Sequence, residues 1–487
     1  MRHPVHSPDT APAPVIAGHP SPATWLLPAT MLTTLAHQLS GWVPVALASH
    51  ALLALYLIGQ WRALTRVPRI ILCIALALML TMPWFTADPG RTLYDALNRA
   101  AWFATFLAAL SFLRIAAETS PLVRRCGAVL ISQPPGKRYA AISGGAFVIG
   151  MLLNMAVLNL LGVMIRRSNT LDAAGGHQAV REARARRMYS AMIRGFATTP
   201  LGSPLTLTLA LILSIIPDLR WWTVLPWGIV TMLMLLALGW LLDRATAPRH
   251  LAGLVARPQP VAGGPRTIGA LLALVGAVFA AAVAVELVLD IALPLAILLT
   301  APPAAFVWML IQRRRLGAAR AVLISAARLR RGAPEQFDGM RAEVAILGAA
   351  ALMGTLIARA VPPDWFATAL GMAGLHGPAV AVLVLVLMAA LPQLGLNPVL
   401  IATILLSALA NAESFGLAPE LLALATMCGW TLAVGSGPVT STILIVSRLA
   451  GVSTREAGWG WNGHFTALAT ALCAVWLLLL GHTLFAL

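Results

Sequence analysis

Carboxylates are scarce in this chain: 17 of its 487 residues are Asp or Glu, and charged residues of both signs reach only 10%. A water-soluble domain carries about 25% charged residues, so an aqueous surface over the whole molecule is excluded. With 59% hydrophobic residues and a mean hydropathy of +0.83, most of the chain must have lipid as its solvent. Lysine is almost missing, Lys137 being the one example among 34 basic residues. Cysteine is limited to Cys73, Cys126, Cys428 and Cys473, without CxxC spacing. Neither a disulfide framework nor a thiolate metal site is expected, and the three cysteines inside apolar runs behave as small hydrophobes. No Asp occupies the centre of an apolar run, and Glu286, Glu343 and Glu413 fall near run ends. Proton antiporters commonly depend on such a group as a relay.

What is present is a succession of apolar runs, and a helix needs roughly 20 residues to cross about 30 Å of hydrocarbon. Transmembrane helices are predicted at 41–60, 68–86, 98–116, 222–242, 267–289, 291–312, 341–360 and 463–487. Three irregular apolar regions, 139–165, 190–216 and 372–449, are broken by Gly, Pro and Asn. The first 23 residues hold too many prolines for a signal-peptide core and read as a disordered tail. Residues 24–39 are short and interrupted by Pro28, which favours an interfacial helix over a span.

The net charge of +17 and pI near 11.4 would suggest nucleic acid in a soluble protein. Here no basic stretch carries interleaved aromatics or a reading module, so no nucleic-acid partner is expected. The arginines lie between apolar runs, where they set topology. Arg62 to Arg69, Arg124 to Arg138, Arg166 to Arg194, Arg244 to Arg266 and Arg313 to Arg331 mark cytoplasmic connections. The connections near Asp88, Asp218, Asp290, Asp364 and Glu413 are nearly free of positive charge and are placed outside. Region 139–165 has basic clusters on both flanks, which a single crossing would put on opposite faces. A hairpin that enters and returns on the cytoplasmic side removes the conflict, with one long tilted helix as the alternative.

Two segments repeat. Gly202-Ser203-Pro204-Leu-Thr206-Leu-Thr208 matches Ser436-Gly437-Pro438-Val-Thr440-Ser441-Thr442, the prolines being 234 positions apart. Leu153-Asn154 matches Leu396-Asn397, 243 positions apart. These offsets, near half the chain length, divide it into a tail (1–40), a first repeat (41–243), a cytoplasmic linker (244–266) and a second repeat (267–487). The first repeat begins outside and the second inside, so the halves are inverted. The fold class expected is an all-α polytopic membrane protein of two inverted repeats, each with transmembrane helices, a re-entrant hairpin and a broken helix. Its location is expected to be a bacterial inner membrane.

This order of hairpin and broken helix, over about 450 residues, resembles the ion transporter superfamily, which contains divalent-anion:sodium symporters, arsenite permeases and citrate carriers. Those families often carry Ser-Asn-Thr at the hairpin tips, whereas here the tips read around Asn154 and Asn397 and the literal Ser168-Asn169-Thr170 falls in a predicted cytosolic loop.

A broken helix at membrane depth exposes backbone groups that cost several kcal/mol each unless something pairs with them. An ion or substrate can be that partner. The candidate ligands are Thr198, Thr199, Gly202, Ser203, Thr206 and Thr208 in the first half, Gly435, Ser436, Gly437, Thr440, Ser441 and Thr442 in the second, and Asn154 and Asn397 at the tips. Hydroxyls bonded to the preceding helical turn are the plainer account of any one motif. Half-helices beginning near Pro204 and Pro438 offer positive dipole ends to an anion. Arg194 is a further candidate for attracting an anion, and His50 reads as packed scaffold. The function predicted is secondary transport of a small, anionic solute by alternating access, with no cofactor and with Na+ expected as the coupling ion in preference to a proton. A polytopic enzyme such as a lipid-linked transferase is the alternative, and its site would be the basic loop with His177, Glu182 and Arg184. The partners expected are the solute and the lipid bilayer, with a homodimer as the candidate assembly.

Overall fold

The computed structural model describes residues 22–216, 218–248, 263–360, 363–410 and 416–485, and the regular elements among these are helices throughout. Most of the predicted tail, most of the linker and Glu413 lie outside the described residues. The chain opens with α1 (Leu26–Ser40), α2 (Val43–Gln60), α3 (Arg66–Thr81) and α4 (Pro89–Glu118). After α5 (Pro121–Ile131) come a hairpin, α6 (Pro135–Leu153) and α7 (Ala156–Ser168), then a broken helix, α8 (Gln178–Ala197), α9 (Thr199–Gly202) and α10 (Leu207–Ile215). α11 (Trp221–Ala245) closes this half. The second half opens with α12 (Gly264–Leu289), α13 (Leu293–Gln312), α14 (Ala318–Gly339) and α15 (Arg341–Ala360). It continues with α16 (Pro363–Met372), the pair α17 (Pro378–Ala390) and α18 (Pro398–Ala408), the broken helix α19 (Pro419–Ser436) and α20 (Ser441–Ala450), and α21 (Trp461–Thr483).

Among the described residues nine helical stretches are long and apolar enough to cross a membrane, and the protein is an integral, all-α membrane protein. Eight of them coincide with the predicted spans, and the ninth runs across the broken helix at Pro419–Ala450. Proline at the first or second position starts many of these helices, where its missing N–H and fixed φ match what a first turn needs. Pro28, the third residue of α1, also sits in the first turn and does not interrupt the helix. α1 buries Leu27, Met31 and Leu35 in the bundle, where it packs against α2 and α4. Its 15 residues reach only about 22 Å, short of a full crossing.

α4 is the central post. Its small and aromatic residues, among them Ala100, Ala101, Phe103, Ala104 and Phe106, are buried against α1, α13 and α15. α3 and α12 lie at the periphery and turn Ile70, Leu80, Leu272 and Val288 outward, as lipid-facing helices do. Two basic stretches expected as cytoplasmic connections are helical instead. Ala321, Ser325, Ala333 and Phe337 recur at multiples of four and bury one face of α14. α8 likewise extends back to Gln178, so Arg181, Arg184 and Arg187 ride on the broken helix.

Each half contains a hairpin packed on its own broken helix, α6 on α8 and α17 on α19. The contacts between halves are reciprocal: α10 packs against α18, and α20 packs against α7.

Candidate functional site

Both helix breaks have the same local construction. Ser203 leaves α9 in an extended conformation (φ −117°, ψ 126°), and Gly437 leaves α19 similarly (φ −65°, ψ 118°). Three residues later Thr206 and Thr440 cap α10 and α20, accepting from the backbone N–H of Leu209 and Ile443 at 3.5 Å. Each cap hydroxyl also donates backwards, Thr206 to the Ser203 carbonyl at 3.1 Å and Thr440 to the Gly437 carbonyl at 2.7 Å.

Several predicted ligands are occupied in the same fashion. Thr198 and Thr199 donate to the carbonyls of Gly195 and Phe196, both at 2.8 Å, and Ser436 donates to Leu432 at 2.7 Å. These hydroxyls have used their proton and retain acceptor lone pairs, so they can offer oxygen to a cation but cannot donate to an anion. Ser203 is fully buried and accepts from the Leu205 N–H at 3.2 Å. Thr208 and Thr442 are buried, and the Thr442 hydroxyl has no hydrogen-bond partner among the described residues. Ser441 is exposed at the start of α20.

The glycines permit close approach. A Cβ on Gly435 would stand 3.2 Å from the Ala197 side chain, so the two broken helices meet there. A Cβ on Gly202 would collide with Met232 and Phe147, and one on Gly437 with Thr440 and the Ala433 carbonyl.

The tips differ from expectation. Asn154 sits at the turn of its hairpin with φ +50° and an exposed side chain. Asn397 is half-buried and caps α18, its Oδ1 accepting from the Val399 N–H at 2.8 Å. The tip residue that reaches a break is Gln393, which donates to Ser436 Oγ at 2.9 Å and accepts from Trp459 Nε1 at 3.1 Å. An amide in an otherwise apolar run was its available signal.

A cavity of about 680 Å³ lies away from these residues, and none of the predicted site residues lines it. It is walled by the N-terminal parts of α4 and α13 and the C-terminal parts of α10, α15 and α18. The charge pattern predicts that these ends face outward. Arg99 donates to Ser214 Oγ at 2.8 Å, and Arg359 pairs with Asp95 at 2.5 Å. Two guanidiniums facing one carboxylate leave a net positive wall. His50 sits behind it, 2.8 Å from Asn98 Oδ1 and edge-on to Tyr94, as a scaffold residue would. Ser214 is eight positions beyond Thr206 and Ser407 ten beyond Asn397, so the cavity stands about 12 Å from the first break and about 15 Å from the second hairpin tip, close to half the hydrocarbon thickness.

The opposite end is tied shut. The Tyr189 hydroxyl lies 3.2 Å from the carbonyls of both Gly162 and Leu449, linking α8 to α7 and α20. Arg194 is buried and donates to Asn462 Oδ1 at 2.9 Å and the Trp461 carbonyl at 3.2 Å, with its guanidinium 4.5 Å above the Phe465 ring. It is a clamp between α8 and α21 and does not face the cavity. Arg187 and Asp243 add a two-point ion pair between α8 and α11, at 2.8 and 2.6 Å.

No protein-family model matches the chain, and no curated protein sequence matches it. A solved structure, that of the YdaH transporter of Alcanivorax borkumensis, described as revealing an unusual topology, aligns with 84% of this chain and 97% of its own at 15% identity, with a TM-score of 0.48. A likeness of that depth does not establish a shared fold.

Proposed function

We propose that this protein is a secondary active transporter that carries a small anionic solute by alternating access, with sodium as the coupling ion. The observation that carries the reading is an asymmetry: a net-positive cavity opens at the end with few basic loops, while hydrogen bonds and an ion pair close the arginine-rich end. Between them lie two helix breaks at which Thr206, Ser436 and Thr440 have spent their protons on backbone carbonyls. A carrier resting outward-open has this shape, and a pore would be open at both ends.

In this reading Arg99 and Arg359 draw the anion inward, because clefts lined by one sign of charge raise the local concentration of the opposite sign. Thr206, Ser436, Thr440 and the unpartnered hydroxyl of Thr442 supply acceptor oxygens for sodium, a cation that needs no proton donor. The two halves act as inverted repeats that rock about the Gly435–Ala197 contact, an element order resembling that of the ion transporter superfamily.

The test is uptake into proteoliposomes of a panel of labelled inorganic and carboxylate anions under an imposed sodium gradient. Saturable accumulation above the equilibrium level, weakened by Arg99→Gln, is expected. Flux that never concentrates any of them, or chemical conversion of a lipid substrate by the purified protein, would refute the reading.

A further inference from the structure

A second cavity, of about 240 Å³, lies between α6, α8 and α11 near the arginine-rich end. It is far larger than the one-probe volume that holds a water. Three guanidiniums line it, those of Arg138, Arg184 and Arg187, against the single carboxylate of Asp243. Asp243 is fully engaged by Arg187 through both oxygens. Two positive charges therefore stand without a countercharge in the cavity wall.

Their hydrogen-bond inventory is also incomplete. Arg138 is only 7% exposed; its Nε donates to the Gln133 carbonyl at 3.0 Å, while its Nη2 has no partner among the described residues. Arg184 donates through one terminal nitrogen to the Ala173 carbonyl at 3.3 Å and leaves a buried Nε without a partner. Buried charged donors are rarely left in this condition, and two on one cavity call for an acceptor that is itself negative. The rest of the lining is mostly apolar, with Ile142, Val180 and Met188 among it, and Tyr139 adds a hydroxyl.

We propose that this cavity binds a phosphate group. Guanidinium forks match the oxygens of a tetrahedral anion, and a phosphate brings both the charge and the several acceptors that Arg138 and Arg184 lack. The site is separate from the transport path proposed above, since no residue of the outer cavity or of either helix break lines it. The phosphate comes either from the aqueous phase or from the headgroup of an anionic lipid whose chains leave along the apolar lining.

The experiment is titration calorimetry on the full-length protein in neutral detergent, with inorganic phosphate in one arm and dioctanoyl-phosphatidylglycerol in the other. Dioctanoylglycerol, which has no phosphate, is the control. Saturable binding in at least one arm is expected, weakened tenfold or more by Arg138→Gln and by Arg184→Gln and unchanged by Arg124→Gln, an exposed arginine elsewhere. Binding of inorganic phosphate identifies the free anion as sufficient, and binding of the lipid alone identifies a headgroup. If Arg138→Gln fails to fold, Arg184→Gln, altered at a half-buried side chain, decides the matter. Absence of binding in both arms, affinity unaffected by the substitutions, or equal binding of dioctanoylglycerol would overturn the proposal.

Discussion

The Arg187–Asp243 pair makes a directional prediction, because its two partners are unequally buried. The Asp243 side chain is 6% exposed and that of Arg187 33%. Arg187→Gln leaves a carboxylate at a buried position with both of its hydrogen-bond donors gone. Removing one member of a buried pair costs about 3–5 kcal/mol, here because the carboxylate loses its hydrogen-bonded partner, while Arg138 and Arg184 in the same cavity wall donate to the Gln133 and Ala173 carbonyls. Asp243→Asn instead leaves a guanidinium that already reaches solvent, and an exposed partner loses about 1 kcal/mol or less. The expected gap between the two variants is therefore roughly 2–4 kcal/mol, combining these ranges. The double variant, which buries no charge at this position, is expected to be more stable than Arg187→Gln alone. Thermal unfolding of the purified variants in one detergent, scanned at one rate, gives the order: parent, Asp243→Asn, double variant, Arg187→Gln. Equal melting temperatures for the two single variants, or a double variant less stable than Arg187→Gln, would refute the assignment of the penalty to the unpaired carboxylate.

Gly195→Ala is expected to destabilise the fold, because the added Cβ would stand 2.1 Å from the backbone carbonyl oxygen of Ser143 where α6 and α8 touch; the melting temperature of the variant checks it. Tyr189→Phe removes one hydroxyl that ties α8 to α7 and α20; at about 0.5–1.5 kcal/mol this shifts the balance toward an inward-open state roughly 2- to 13-fold, measured as faster alkylation of a cysteine placed on α20. Thr206→Ala and Thr440→Ala each remove a cap and a proposed sodium ligand, so both should lower sodium affinity in the same binding isotherm. A loss of melting temperature alone, with sodium affinity intact, would leave them as caps only.

The parts of this architecture that repeat along the chain were legible in its sequence. Uninterrupted apolar runs marked eight spans, and Gly-Ser-Pro and Thr spacing marked both helix breaks to within a residue or two, because backbone disruption is a local property. The cavity was not legible. Arg99, Ser214, Thr355, Arg359 and Ser407 come from the ends of four helices far apart in the chain, and each alone reads as an ordinary residue at a membrane boundary. The hydroxyls of Thr198 and Thr199 illustrate the opposite error: their type suggested ligands, but a free i−3 carbonyl within reach took their protons. Arg194 likewise looked like an anion lure, and Asn462, 268 positions away, turned it into a clamp. The α14 helix was hidden because its arginines dominate the composition while its small buried residues carry the period.

The central claim, one end open and the other closed with exchange between them, is tested most directly by thiol accessibility in a background lacking Cys73, Cys126, Cys428 and Cys473. Ser407→Cys places a thiol in the outer cavity, and Val446→Cys places one at a fully buried position of α20 at the closed end. In intact cells an impermeant maleimide should label position 407, while in inside-out vesicles position 446 should stay protected. In those same vesicles, a condition that drives transport should expose position 446 as position 407 becomes slower to react from outside. Simultaneous labelling of both positions from their respective sides, without any reciprocal change, would mark a continuous pore and contradict the account.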